Sequence, residues 1–332
     1  MNTSELVRAL RQGDLDLIDH VSELCDRIER MEDKILALVA GSYDRGRVIG
    51  DARKLLIKYP DPDSRPPLFG LGLGVKDIFH VPGFPTRCGS QLPPEFLEGS
   101  TSTCFAQLAE AGCILIAKTV TTEFACFEPG PTRNPHDLTH SPGGSSSGSA
   151  AGVACGFFPL ALGTQTAGSI SRPAAYCGIV GFKPSYEMIS RQGVFPFSPS
   201  ADHVGILALD VAGVRLAIGA VAGSKGDKTP DNPTPVDLRV LTFGIPEGPY
   251  LKQASANGQH NFENILARLV GAGLSVRRLP AFEDIEQINS WHRDLIAGEM
   301  ARVHEPLLSR FRHLYKARTL EFIETGRRVS DG

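Results

Sequence analysis

Residues 143–184 read GGSSSGSAAGVACGFFPLALGTQTAGSISRPAAYCGIVGFKP, and they are the most informative part of the sequence for the fold. Its opening run of serine and glycine has the composition of a flexible linker. A linker should separate two self-contained units, but this run leads directly into a small-residue helix at 150–155 and an apolar strand at 158–163. Glycines that flank hydroxyl groups in such a setting indicate a tight, unusual backbone path. We therefore expect chemistry here, including in the polar segment before the next apolar run at 179–182.

Residues 144–148 also match the letters of the GxSxG nucleophile elbow, which would make Ser146 the nucleophile of an α/β-hydrolase. That motif requires an apolar strand immediately before the turn, whereas residues 134–142 form a polar stretch with two prolines. A Ser-His-Asp triad is therefore not favoured. The histidines near these segments are interpreted as surface or loop residues: His80, His136, His140 and His203.

Upstream, residues 70–76 alternate glycine with apolar side chains and end in charge, which predicts a buried strand that delivers Lys76 and Asp77 at its C-terminal end. The carboxyl ends of strands are where α/β sheets usually hold their sites. Residues 102–111 have helical periodicity and 113–117 are apolar and β-branched, which predicts a helix followed by a strand.

Both ends of the chain are predicted to be largely helical. Apolar residues recur at three- and four-residue steps from 4 to about 40, with a break at Gly13 and Asp14, so two amphipathic helices are expected. Strands are predicted at 239–245 and 274–279, with a helix between them and mainly helix from Glu283 onward.

Composition excludes several classes of function. A formal net charge of -3 over 332 residues gives no basic field for a phosphate backbone, so nucleic acid is not expected as a partner. No apolar run approaches membrane-spanning length, so no membrane association is expected. Seven cysteines without a CxxC pair favour neither a disulfide framework nor a metal site and fit a reducing cytoplasm.

Three separate segments resemble the amidase signature family, in the order found in that family. Residues 143–184 are similar to the amidase signature along its whole length. Residues 74–83, GVKDIFHVPG, are similar to the family's lysine motif, and residues 117–124, AKTVTTEF, to its central strand and turn. The resemblance implies an α/β fold in which helices flank both faces of a mixed central β-sheet, with additional N-terminal helices.

The resemblance also implies catalytic roles for three side chains. By position in the motifs, Ser169 corresponds to the nucleophile, Ser145 to a serine held on a cis peptide that relays protons, and Lys76 to the general base. Lysine acts as a base only where burial or dipoles disfavour its ammonium form. No cofactor or metal is required. The oxyanion hole corresponds to the backbone N–H groups of Thr166, Ala167, Gly168 and Ser169.

The activity implied is that of an amidohydrolase, which cleaves the C–N bond of a small carboxamide through a seryl acyl-enzyme. Arg172 and Thr164 are predicted to bind this substrate. Gln165 and Ala167 replace an aspartate and a glycine found in many members, and the pattern is similar to a subgroup that includes malonamidase. There, an arginine at the position of Arg172 contacts a substrate carboxylate. A structural ion pair near Pro173 is the alternative role.

Family members usually continue well beyond the equivalent of Gly332, so a C-terminally truncated chain is expected. We expect a single amidase domain over 1–332, with an N-terminal helical segment at 1–60, a signature core at 61–210 and an incomplete C-terminal part at 211–332. A catalytically impaired subunit or interaction protein is the alternative to an active enzyme, and a homodimer is possible.

Overall fold

The computed structural model describes residues 1–222 and 236–329. Two compact units divide the chain: one comprises Met1–Thr229 and Ile296–Gly332, and the other comprises Pro230–Leu295. The subdivision of the amidase domain expected from the sequence stays a prediction.

The described helices and strands alternate through most of the chain. The α-helices are α1 Thr3–Gln12, α2 Leu17–Ile35, α3 Arg45–Lys58, α4 Thr103–Glu110, α5 Ser147–Ala154, α6 Ser171–Cys177, α7 Val211–Val221, α8 Pro249–Lys252, α9 Ala256–Gly271, α10 Ile285–Phe311 and α11 Ala317–Gly326. The strands are β1 Gly72–Lys76, β2 Ile114–Thr119, β3 Leu160–Gln165, β4 Val180–Phe182, β5 His203–Ala208, β6 Thr242–Glu247 and β7 Ser275–Pro280. Of the helices described, none has the length and apolar character needed to cross a membrane.

The first unit is built on a five-stranded sheet in the order β2-β1-β3-β5-β4. Strand β1 runs parallel to β2 and β3, whereas β5 runs antiparallel to β3 and β4. The predicted mixed central sheet is therefore confirmed. Because β1, β2 and β3 are parallel, their carboxyl ends meet at one edge of the sheet, and Lys76 pairs there with Thr119.

Helices cover both faces of this sheet. Side chains alternate across a strand, so Leu160 and Leu162 of β3 join one hydrophobic cluster with residues of α4 and α7. Ala161, which points the opposite way, joins a second cluster with residues of α2 and α5. The α/β architecture implied by the resemblance is therefore confirmed.

The break predicted between the first two helices occurs where the sequence places it. Helix α1 ends at Gly13, whose φ of 82° is the left-handed conformation that glycine adopts without steric cost. Asp16 then caps α2 by accepting hydrogen bonds from two backbone N–H groups.

The second unit contains the parallel pair β6–β7 and helix α9. Strand β6 begins three residues later than predicted, because a 3₁₀ turn at Leu238–Val240 is capped by the Asp237 side chain. It also continues through Pro246 to Glu247, two residues beyond the predicted end at 245. Both strands of a two-stranded sheet are edge strands, where a proline is tolerated.

Candidate active site

Lys76 is the last residue of β1 and is fully buried. Its Nζ lies 2.7 Å from Ser145 Oγ and 2.8 Å from Thr164 Oγ1. Burial lowers the pKa of Lys76 to about 7, and the opposing charge of Asp202 reduces this effect only in part. A lysine in this environment has a substantial neutral fraction at neutral pH, as a general base requires.

Ser145 is held by backbone contacts on both sides. The peptide bond between Gly144 and Ser145 is cis, and the Ser145 carbonyl accepts a 3.3 Å hydrogen bond from the Thr122 N–H. The carbonyl of Gly144 accepts two hydrogen bonds from the Arg172 guanidinium, of 3.1 and 3.0 Å. Hydrogen bonds from Thr122 and Arg172, which lie outside this segment, therefore hold the backbone that precedes α5.

The small residues that follow Ser145 allow α5 to approach its neighbours closely. A Cβ atom at Gly148 would collide with the carbonyl of Ala37 and the N–H of Val120. The Ser146 hydroxyl is fully buried and exchanges two 3.3 Å hydrogen bonds with the backbone of Thr164. The serine- and glycine-rich run is therefore buried and closely packed, and the Ser146 hydroxyl has a structural role through its hydrogen bonds to Thr164.

Ser169 lies in the loop between β3 and α6, and only 8% of it is exposed. Its carbonyl accepts a 3.4 Å hydrogen bond from the Ser146 N–H, which places the nucleophile candidate beside the Ser145 segment. Within 1–222 and 236–329, no side-chain hydrogen bond joins Ser169 to Ser145. The structure therefore brings Lys76 and Ser145 into direct contact and Ser169 to the adjacent backbone.

The loop before Ser169 presents unpaired backbone donors. The N–H groups of Ala167, Gly168 and Ser169 have no hydrogen-bond acceptor among the residues that the structure describes. The Thr166 hydroxyl donates to the Asp202 carboxylate. Unpaired N–H groups next to a buried serine are the arrangement that an oxyanion hole requires.

The two predicted substrate-binding residues have protein contacts of their own. Thr164 contacts Lys76 and also lines a small cavity with Ile78, Phe195 and Asp202 among others. Arg172 is exposed, and no carboxylate pairs with it in the described part of the chain, so the predicted ion pair near Pro173 is not formed. The substrate-binding roles of Thr164 and Arg172 stay predictions.

One buried charge pair next to the site was not predicted. Lys118 of β2 and Asp77 lie 2.8 Å apart, and both side chains are almost fully buried. Lys118 pairs in register with Val75, one residue before Lys76. Burial raises the pKa of the Asp77 carboxyl, and Lys118 opposes this rise. The sequence feature that could have indicated this charge pair is a lysine within an otherwise apolar strand.

The four histidines near the motifs contact residues outside the predicted catalytic triad. His80 contacts Thr86, and His140 contacts Asp137. His136 and His203 bond to backbone carbonyls of Cys177 and Ala201. His203, interpreted as a surface or loop residue, is in fact the partly buried first residue of β5.

Comparison with known proteins identifies the family. The family model described as Amidase matches residues 19–308. A glutamyl-tRNA(Gln) amidotransferase subunit of Exiguobacterium sibiricum is 34% identical over 285 residues, which cover 80% of this chain and 58% of that protein. The corresponding protein of Geobacter sp. is 32% identical over 297 residues, covering 83% and 59%. The chain therefore spans less than two thirds of the length of these curated relatives.

Solved structures agree with this assignment. The crystal structure of an amidase superimposes with a TM-score of 0.88 at 31% identity, covering 100% of this chain and 75% of that one. The native peptide amidase of Stenotrophomonas maltophilia gives a TM-score of 0.79 at 27% identity, covering 97% and 70%. With its sheet, its buried Lys76–Ser145 contact and these matches, the chain belongs to the amidase family.

Proposed function

We propose that the protein hydrolyses the C–N bond of a small carboxamide through an acyl-enzyme on Ser169. The observation that carries this proposal is the 2.7 Å contact between Lys76 Nζ and Ser145 Oγ. A fully buried lysine in contact with a serine hydroxyl can accept its proton when neutral, while still donating to Thr164 Oγ1.

In the first half-reaction, Ser169 Oγ attacks the amide carbon while its proton passes to Ser145 and the Ser145 proton passes to Lys76. The backbone N–H groups of Ala167, Gly168 and Ser169 stabilise the oxyanion of the tetrahedral intermediate, an interaction worth about 3–4 kcal/mol per donor. The proton on Lys76 then returns through Ser145 to the leaving nitrogen, the C–N bond breaks, and ammonia or an amine departs.

In the second half-reaction, a water molecule attacks the acyl-enzyme and loses its proton along the same route. The proton then returns from Lys76 through Ser145 to Ser169 Oγ as the bond between Oγ and the acyl carbon breaks, so the carboxylic acid is released and the free hydroxyl is restored. The chain's own residues supply every proton transfer in this scheme.

We further propose that the substrate is anionic, as the resemblance to the malonamidase-like subgroup suggests. Arg172 directs Nε and Nη2 to the Gly144 carbonyl, and its Nη1 has no partner among the described residues. An arginine fork of this kind is suited to a carboxylate. Thr164 would contact the substrate from the cavity side.

A second candidate function follows from the curated relatives, which are components of amidotransferases. In that case the amide hydrolysed would be glutamine, the ammonia would pass to a second reaction, and the partners would be other protein subunits. The truncated, catalytically impaired subunit or interaction protein expected as an alternative from the sequence is a separate hypothesis, and the homodimer stays a prediction. All seven cysteines are unpaired and buried, which supports a reducing, cytoplasmic location.

Ammonia release distinguishes these candidates. The purified chain would be incubated with neutral primary amides, amides that bear a carboxylate, and free glutamine, with Ser169→Ala as the blank. Faster release from neutral amides, or from carboxylate-bearing amides that lack an amino group, than from glutamine supports the first proposal, and preference for glutamine supports the second. Release equal to the Ser169→Ala blank for every amide would overturn both and leave the impaired protein.

A further inference from the structure

Gln165 is the last residue of β3, and its side chain folds back over the loop that follows. The exposed fraction of Gln165 is 8%. Its Nε2 donates a 3.0 Å hydrogen bond to the carbonyl of Ala167. Its Oε1 accepts hydrogen bonds from the N–H groups of Ile170 and Ser171, both 2.9 Å, and from the Ser171 hydroxyl at 3.1 Å.

These four contacts fix the orientation of the carboxamide. Two backbone N–H groups converge on Oε1, so exchanging the oxygen and the nitrogen would turn an NH₂ group toward these two donors and the amide oxygen toward the Ala167 carbonyl, which loses three of the four contacts. A buried carboxamide with this many partners is held in one rotamer. Gln165 therefore connects the beginning of the loop, at Ala167, to its end, at Ile170 and Ser171.

The connected loop is the one that carries the unpaired N–H groups of Ala167, Gly168 and Ser169. An unpaired donor stabilises an oxyanion only if it is fixed in direction before the reaction, because reorienting it during the reaction costs free energy. Each of these three residues lies outside a helix or strand, so regular secondary structure does not fix them. The side chain of Gln165 provides that constraint instead.

We infer that Gln165 is a positioning residue that aims the backbone donors of residues 167–169 at the tetrahedral intermediate. This inference rests on the proposed amide hydrolysis at Ser169. Gln165 itself need not touch the substrate, since its polar atoms are already engaged with the loop.

Three variants test this role. Gln165→Met keeps the length of the side chain and loses all four hydrogen bonds. Gln165→Glu keeps an acceptor for Ile170 and Ser171 but turns a carboxylate oxygen toward the Ala167 carbonyl. Ser171→Ala removes one of the four contacts. Gln192→Met is the matched control, because Gln192 is exposed and its side chain contacts Thr103 at 3.3 Å.

For Gln165→Met and Gln165→Glu we expect kcat to fall by about 10- to 100-fold with KM within about threefold, somewhat less than the loss of a whole oxyanion donor. The inhibition constant of a substrate-derived aldehyde, which forms a tetrahedral adduct, should rise by a similar factor, while that of the carboxylate product stays constant. Ser171→Ala should lose at most about threefold in kcat, and Gln192→Met should match wild type.

The outcomes distinguish failure of the proposed amide hydrolysis from failure of the inference about Gln165. Wild-type protein that neither releases ammonia nor binds the aldehyde would remove the proposed function. Active wild type together with a Gln165→Met variant that keeps kcat within about twofold would overturn the inference alone. If the melting temperature shows that Gln165→Met does not fold, Gln165→Glu and Ser171→Ala decide: unchanged kcat and aldehyde binding in both would also overturn it.

Discussion

Replacing Lys76 with methionine should abolish activity and yet stabilise the folded protein, most strongly at low pH. Methionine has nearly the same length as lysine and carries no charge. The pKa of Lys76 falls from 10.5 to about 7 in the folded chain because the side chain is fully buried. This difference corresponds to roughly 5 kcal/mol of stability lost at pH values below 7, where both the folded and the unfolded chain are protonated.

The sign of the pH dependence of stability, and the pH range in which it occurs, follow from proton binding at Lys76. Between pH 7 and 10.5 the unfolded chain binds a proton at Lys76 that the folded chain does not, so the free energy of unfolding rises with pH. At pH 9 only about 2 kcal/mol of the destabilisation remains, by the same relation. The Lys76→Met variant has no titrating group at this position and therefore lacks this pH dependence. Its stability gain over wild type should be about 3 kcal/mol larger at pH 6 than at pH 9.

Urea unfolding of both proteins at the two pH values measures this difference. The hydrogen bonds from Lys76 to Ser145 and Thr164 are lost in the variant at both pH values, so they largely cancel in the comparison. All other titrating groups are shared by the two proteins. A stability difference between variant and wild type that is the same at pH 6 and pH 9 would refute a depressed pKa at Lys76.

Three further outcomes are expected. For wild type, kcat/KM should rise with pH and level off above about 7, because only neutral Lys76 accepts the Ser145 proton; a plateau reached only near 10 in a pH–rate profile would contradict this. Lys118→Met should destabilise the fold by about 3–5 kcal/mol in urea unfolding at pH 7, opposite in sign to Lys76→Met, because the buried Asp77 carboxyl loses its ion pair and keeps the hydrogen bond from the Arg87 N–H. Arg172→Met should raise KM for a carboxylate-bearing amide at least about tenfold more than for a neutral amide; equal increases would mean that Arg172 only holds the Gly144 carbonyl.

The parts of the site that the sequence predicts are those determined by local pattern. The alternation of glycine and apolar residues before Lys76 indicates a buried strand, and its last residue necessarily lies at the sheet edge. The small residues after Ser145 similarly indicate a closely packed helix, which α5 confirms, although it begins at Ser147 rather than at 150.

The parts that the sequence does not predict depend on which elements become neighbours. Lys118 and Asp77 meet only because β2 lies beside β1, and no local pattern gives the order of strands in a sheet. The contact between Arg172 and the Gly144 carbonyl joins residues that are 28 positions apart in the sequence. The strand β5 was likewise missed, although it supplies the antiparallel neighbour of β3.

Acid quenching of turnover tests directly whether Ser169 becomes acylated during amide hydrolysis. The quenched protein would be digested, and the peptide that contains residues 143–184 would be fragmented in a mass spectrometer to locate the acylated residue, with Ser145→Ala and Ser169→Ala in parallel. The proposed acyl-enzyme requires the mass of the acyl group on Ser169, greatly reduced in Ser145→Ala and absent in Ser169→Ala. An acyl group on Ser145 or Ser146, or unchanged acylation in Ser169→Ala, would contradict it.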